Sequence, residues 1–332
     1  MDTKILMVVI SVALGFVLSF LLGRGLLPVL RALKAGQSIR EVGPKWHNTK
    51  SGTPTMGGLM FIIATFACIG TGWWAMKQNG DYSHLFVLGL ALMYGLIGFY
   101  DDFIKVKKKR NLGLTGMQKL VLQVLAAVAF LAVMHFTDNI NYELYIPFVK
   151  APVVKVPVLL YLAAAVFIIV GCVNAVNITD GIDGLSSGVT MPVMLFFALV
   201  AVGKGQFGLA TFPAILLGGL GGFLCYNFYP AKVFMGDTGS LFMGGAVVGL
   251  AYALDMPLVL LLVGIIYIIE TLSDILQVGY FKLTHGKRIF KMAPIHHHFE
   301  MCGWSEKKIW TVFVLTTVLM CTVAWFGVRI WF

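Results

Sequence analysis

The segment VLLYLAAAVFIIVGCVNAVNITDGIDGL, residues 158–185, carries no charge from Val158 to Thr179 and then meets two aspartates, Asp180 and Asp183, among glycines. At about 1.5 Å of rise per residue, the uncharged part is long enough to cross a hydrocarbon core of about 30 Å. The rest of the chain agrees with this reading. Of its 332 residues 59% are hydrophobic and 12% charged, far from the balance of a soluble globular domain.

Similar runs recur along the whole length and predict ten transmembrane helices. They span roughly Leu6 to Gly23, Thr55 to Met76, Leu85 to Tyr100, Gln118 to Phe136, Val158 to Val176, Leu185 to Val202, Phe207 to Asn227, Ser240 to Leu254, Pro257 to Tyr280 and Ile309 to Trp331. The expected fold class is an all-α polytopic membrane protein, and residues 1–332 read as a single membrane domain because no hydrophilic stretch is long enough for a second one. The first helix reads as retained, since its apolar run is long and no small-residue cleavage site follows it. Between Tyr142 and Val158, apolar and polar residues alternate around Lys150, Ala151 and Pro152, which suits a small external β-hairpin.

The net charge of +10 is concentrated after helices one, three and nine, in stretches such as Arg31 to Lys50, Lys105 to Arg110 and Lys282 to Lys291. The positive-inside rule makes those loops cytoplasmic and puts both termini outside the cytoplasm. Basic loops beside membrane spans are explained by topology and by anionic membrane lipid, each Lys or Arg contributing about 1 kcal/mol near the surface, so no nucleic-acid partner is inferred. The five cysteines show neither zinc spacing nor a disulfide framework.

Acids at a membrane edge are costly to place and therefore informative. Asp101 and Asp102 read as the end of helix three, Asp180 and Asp183 as the turn after helix five, and Asp237 as the connection between helices seven and eight. All of these turns fall on the cytoplasmic side. A cation-coupled transporter, the rival reading, would more naturally hold its acids near the bilayer midplane and would break no phosphoanhydride. Acids at the water boundary favour chemistry on a cytoplasmic substrate.

The surrounding residues sharpen that chemistry. NAVNITDGIDGL, from Asn174 to Leu185, offers the amides of Asn174 and Asn177 beside two carboxylates, and FMGDTGS, from Phe234 to Ser240, puts Asp237 just before a helix whose free amides favour anions. Carboxylates beside an anion site imply a bridging cation, and magnesium suits oxygen ligands shared with substrate phosphates. In HNTKSGTPTMGG, from His47 to Gly58, Lys50 is placed to meet a diphosphate or to anchor the loop at the membrane. His296, His297 and His298 have no packing rationale as neighbours and read as phosphate or sugar contacts. Glu270, Asp274 and Gln277 share one helix face, which is expected to look at a cavity rather than lipid. Three motif matches are set aside: Gly203, Gly205 and Gly208 follow no strand, the glycosylation acceptor at Asn177 lies inside, and the glycines from Gly218 to Gly222 read as helix packing.

Taken together, GTPTMGG, the Asp101–Asp102 pair followed by Lys105, NAVNITDGIDGL, FMGDTGS and APIHHHFE with Gly303 and Trp304 resemble the phospho-N-acetylmuramoyl-pentapeptide-transferase family over nearly the whole chain. The resemblance implies transfer from UDP-N-acetylmuramoyl-pentapeptide to undecaprenyl phosphate in the bacterial inner membrane, with the active site at the cytoplasmic face. It implies that Asp237 binds Mg2+, that Asp101 and Asp102 serve catalysis or the carrier phosphate, and that His296 is the catalytic histidine with His297 and His298 beside it. Lys50, Thr55, Asn177, Asp180, Asp183, Asn227, Phe234, Gly236 and Gln277 would line the nucleotide pocket, with Phe234 stacking on uracil, and Lys105 and Asn174 join the substrate-binding set. A homodimer is implied as well. Against the family pattern, Ile182 stands for a usual leucine, a conservative change, and Asp274 for a usual apolar residue, which leaves it without a role.

The orientation is open to a direct check. Cysteines substituted for Lys107 and Lys287 should react with a membrane-impermeant thiol reagent only after cells are opened; labelling of both in intact cells would overturn the cytoplasmic assignment.

Overall fold

A backbone in hydrocarbon must satisfy its own N–H and C=O groups, so uncharged segments of this length fold as helices. The computed structural model describes residues 3–33, 52–108, 112–150 and 154–331, and it is mostly helical. In chain order the elements are α1 (Thr3–Ala32), α2 (Leu59–Thr65), α3 (Ala67–Asn79), α4 (Ser83–Lys108), α5 (Gly116–Phe136), β1 (Glu143–Leu144), β2 (Val154–Lys155), α6 (Val158–Thr179), α7 (Leu185–Gly203), α8 (Phe207–Asn227), α9 (Gly236–Ala253), α10 (Leu260–Val263), α11 (Ile265–Leu283), α12 (Ile295–Met301) and α13 (Glu306–Val328). The two short strands pair antiparallel, Glu143 opposite Lys155 and Leu144 opposite Val154.

Among the described residues, seven helices are long and apolar enough to cross a membrane, or eight if the bent pair Pro257–Val263 and Ile265–Leu283 counts as one span. The chain is a multi-pass helical membrane protein. Two of the segments read as single helices are interrupted. The second is divided at Phe66 into α2 and α3, and the ninth bends by 80° at Gly264. The third reaches further than its apolar run. Asp101 and Asp102 do not end it, because α4 continues through Lys105 to Lys108, with Asp101 and Lys105 joined across one turn. One helix, α12, was not anticipated and carries the three histidines.

The centre of the bundle is α9, in which every residue from Thr238 to Tyr252 is buried. Its small residues let other helices come close: α4 lies on one side and α6 on another, and Gly244 and Gly245 face the backbones of Val173 and Ala91. On the flank, α1 packs along α8 through Ser11, Gly15, Ser19 and Gly23. A side chain at Gly218 would collide with the Val12 carbonyl. Such backbone approach is how helices associate where no hydrophobic driving force separates protein from lipid. The consequence for function is positional. α9 begins, α4 ends and α6 ends at the same end of the bundle, and their polar residues meet there.

Candidate active site

The site is built where the start of α9 is wedged against α4. Gly236 opens α9 with φ +70°, a conformation that glycine adopts without strain, and a side chain there would strike the Asp102 carboxylate and the Thr55 hydroxyl. The strand-like segment leading into it is clamped to the Thr55 loop: Phe234 N–H donates to the Pro54 carbonyl at 2.8 Å, and Gly57 N–H donates to the Phe234 carbonyl at 2.8 Å. Asp102 Oδ2 then accepts from Thr238 N–H at 2.9 Å and from Thr238 Oγ1 at 2.8 Å, a carboxylate capping free amides at a helix start. Asp101 Oδ1 accepts from Leu114 N–H at 2.7 Å.

Lys105 sits among all three acids. Its Nζ is 2.6 Å from Asp101 Oδ2, 3.5 Å from Asp102 Oδ1 and 2.9 Å from Asp237 Oδ2. A second ammonium, Lys119 Nζ, lies 2.9 Å from the same Asp237 oxygen, while Asn177 Nδ2 donates to Asp237 Oδ1 at 3.2 Å. One carboxylate oxygen from each of Asp101, Asp102 and Asp237 lies within 4.8 Å of the other two. That donor set is hard, anionic and oxygen-only, so it fits a divalent cation such as magnesium rather than zinc.

Asp180, just beyond the end of α6, strengthens the fit. Burial pushes its carboxyl up to about 8, and the negative charges of Asp237, Asp102 and Asp183 add to the shift, although part of the side chain still faces solvent. Four carboxylates thus share the site with two ammonium groups, and burial beside the other acids makes Asp180 resist ionisation. A bound divalent cation would favour the ionised form of these carboxylates.

The other residues singled out from the sequence fall into distinct groups. Asp183 accepts from Ala231 N–H at 2.8 Å, and its own N–H donates to Glu306 at 3.2 Å, so the DGIDG turn is tied to the 228–235 loop and to α13. Asn227 Nδ2 donates to the Val233 carbonyl at 2.9 Å and closes that loop; Phe234 within it is half-buried. Gln277 is spent on the backbone of residues 289–290, with three hydrogen bonds of 3.0 to 3.1 Å. Asn174 forms a reciprocal amide pair with Gln123, at 2.8 and 3.3 Å. The histidines diverge: His296 Nδ1 lies 2.8 Å from Glu270, His297 Nδ1 lies 2.6 Å from Glu300, and His298 Nδ1 accepts from Lys291 N–H at 3.1 Å. Lys50 lies outside the described residues. Sequence reasoning missed Lys119 and Thr238. Lys119 had a signal, a single cation in the first turn of an otherwise uncharged helix, whereas nothing local distinguishes Thr238.

The profile described as Glycosyl transferase family 4 matches residues 84–255, and phospho-N-acetylmuramoyl-pentapeptide-transferase signature 1 matches residues 50–62. A phospho-N-acetylmuramoyl-pentapeptide-transferase of Clostridium acetobutylicum is 47% identical over 320 residues, covering 96% of this chain and 98% of that protein. This chain belongs to the phospho-N-acetylmuramoyl-pentapeptide-transferase family. Transferases of the same name from Clostridium perfringens and Caldanaerobacter subterraneus are 46% and 47% identical, over 97% and 96% of this chain and 96% and 98% of their own lengths. The region matched by the glycosyl transferase profile contains the acid cluster, Lys105, Lys119 and the 228–235 loop of this family member, and the signature contains Thr55.

Because Lys105 occupies the space between the three carboxylates, it competes with any cation that approaches them. Lys105→Met should therefore tighten Mn2+ binding to the purified protein on the order of tenfold, read by electron paramagnetic resonance titration, equivalent to about 1.4 kcal/mol. Weaker Mn2+ binding in this variant would show instead that Lys105 assembles the cation site.

Proposed function

We propose that this chain transfers phospho-N-acetylmuramoyl-pentapeptide from its UDP donor to undecaprenyl phosphate, releasing UMP and forming the first lipid-linked peptidoglycan precursor, with Mg2+ as its cofactor. The observation that carries this reading is near full-length similarity to transferases of that name, combined with acids and lysines converging at one end of a membrane bundle. The reading includes one membrane domain of ten crossings in the bacterial inner membrane, both termini outside, the site at the cytoplasmic face, and a homodimeric assembly.

Asp237 would hold the magnesium, with Asp101 and Asp102 beside it, and the ion when bound would supply charge neutralisation on the diphosphate. Around it, Lys105 and Lys119 provide fixed positive charge, and Asn177 holds Asp237 in orientation. Asp180, Asp183, Asn227, Phe234, Gly236, Thr55, Gln277 and Lys50 form or support the nucleotide pocket, with Phe234 against uracil. His296 contacts a phosphate or sugar oxygen, with His297 and His298 shaping its surroundings. Asn174 supports the substrate residues through its helix.

The nucleophile needs little activation, since a phosphate monoester with a second pKa of about 6 is already largely dianionic at neutral pH. Alignment and charge neutralisation are what the reaction lacks in water. Direct attack by a carrier phosphate oxygen on the sugar-bearing phosphorus, with UMP leaving, is then simpler than a covalent aspartyl phosphate. Asp101 and Asp102 orient the carrier phosphate or take its residual proton.

Incubation with the UDP donor, magnesium and undecaprenyl phosphate should release UMP, and Asp237→Asn should lower turnover by about 100-fold or more while the protein stays folded. Near-normal turnover of that variant at saturating magnesium would remove Asp237 from the site. With a donor made chiral at the transferred phosphorus, one displacement inverts configuration; retention would mean a double displacement on the enzyme.

A further inference from the structure

Glu270 stands in the middle of α11, a helix whose outer face exposes Ile269, Leu272, Ile275 and Leu276. Its own side chain is fully buried, a costly place for a carboxylate unless a specific partner faces it. The partner is His296, equally buried, with Nδ1 at 2.8 Å from Glu270 Oε2. An ionised carboxylate only accepts, so Nδ1 carries the proton in this bond and Nε2 is the one ring atom left for another contact. Nε2 has no hydrogen-bond partner, and it abuts the main chain of Gly181, where a side chain would collide with it. Gly181 lies between Asp180 and Asp183 in the turn assigned above to the nucleotide.

We infer that Glu270 is a positioning residue for the transfer reaction: its carboxylate fixes the orientation and tautomer of His296, so that Nε2, which carries no proton in that tautomer, is offered as an acceptor to a hydroxyl of the donor's sugar at the DGIDG turn. The inference deepens the proposed function and rests on His296 acting in transfer. A carboxylate that orients an imidazole through Nδ1 is a general device for directing the opposite nitrogen. A packing role explains the pair less well. A neutral amide would join α11 to α12 by the same bond without burying a charge, and Glu270 Oε1 is left with no partner at all. The neighbouring histidines are held from within their own surroundings, His297 by Glu300 of the same helix and His298 by the Lys291 backbone, whereas His296 is held by an acid buried in another helix.

The experiment is a double-mutant cycle on the full-length protein with magnesium, donor and carrier lipid. Glu270→Gln keeps an acceptor for Nδ1–H but removes the charge. It should lower kcat roughly 10- to 100-fold with the donor KM changed by no more than about twofold. His296→Gln should lower kcat at least as much, and the double variant should be no slower than His296→Gln alone. Near wild-type kcat for Glu270→Gln, or a double variant slower by the full Glu270→Gln factor, overturns the positioning role. Full activity of His296→Gln overturns the underlying reading of that histidine, and the inference with it. A measurement on unsubstituted protein guards against a variant that fails to fold. In 15N-histidine-labelled enzyme, the His296 signal, identified by its loss in His296→Gln, should report a protonated Nδ1; a bare Nδ1 refutes the inference.

Discussion

One ammonium group, Lys105 Nζ, holds together the two helices on which the site depends. Two unit charges about 4 Å apart interact by about 4 kcal/mol at an effective dielectric constant of about 20, so full ionisation of Asp101, Asp102 and Asp237 at their observed spacing would be costly. Without compensation α4 and α9 would be driven apart at this end. Lys105 reaches all three acids, Lys119 adds a second ammonium from α5, and the Thr238 and Leu114 amides take up remaining carboxylate lone pairs. The same arrangement creates the chemistry. A cluster that needs this much positive charge to exist is one that a cation can enter, and burial together with these acids raises the nearby Asp180 carboxyl.

Backbone approach makes the contact possible. Gly98 of α4 touches the peptide of Asp237, where any side chain would collide with the Asp237 carbonyl, and Gly58 lies against Gly239. The glycines of GTPTMGG and FMGDTGS thus act less as phosphate-cradling loops than as flat surfaces that let α2, α4 and α9 meet. Packing in hydrocarbon and precision at the site come from the same residues, since helices pressed backbone to backbone have few alternative registers.

Much of this was legible in the sequence, because lipid imposes a simple rule: long uncharged runs become helices, and the acids left over collect at their ends. Asp101, Asp102, Asp180 and Asp237 could be grouped on that basis alone. What escaped were features set by tertiary contact. The break at Phe66 and the 80° bend at Gly264 interrupt runs that are apolar on both sides, so hydropathy passes through them unchanged. The continuation of α4 past Tyr100 was hidden because its last turns are charged, and a charged turn reads as a loop until the Asp101–Lys105 pair is seen to stabilise it. The helix α12 is short and polar and is tied to α11 through Glu270. Lys119 was overlooked because its partner is 118 residues away in the chain.

Motif membership also grouped residues that the hydrogen bonds separate. Asn174 and Asn177 are three positions apart in one motif, yet Asn174 has its amide saturated by Gln123 and the Val170 carbonyl, while Asn177 turns to Asp237. The first joins α6 to α5 and its polar atoms are fully engaged. Other polar atoms are in the opposite condition. Glu270 Oε1, His296 Nε2 and Asn227 Oδ1 are buried without partners, each at a penalty of about 1–3 kcal/mol. Apolar residues of similar shape would give a bundle at least as stable. Polar groups retained against stability, gathered beside a turn that also carries a reluctant carboxyl, indicate selection for something other than folding. Unpartnered buried polar atoms also occur away from the site, at Ser19, His84, Ser187 and Gln206, so they point to chemistry only where they stand together beside the DGIDG turn.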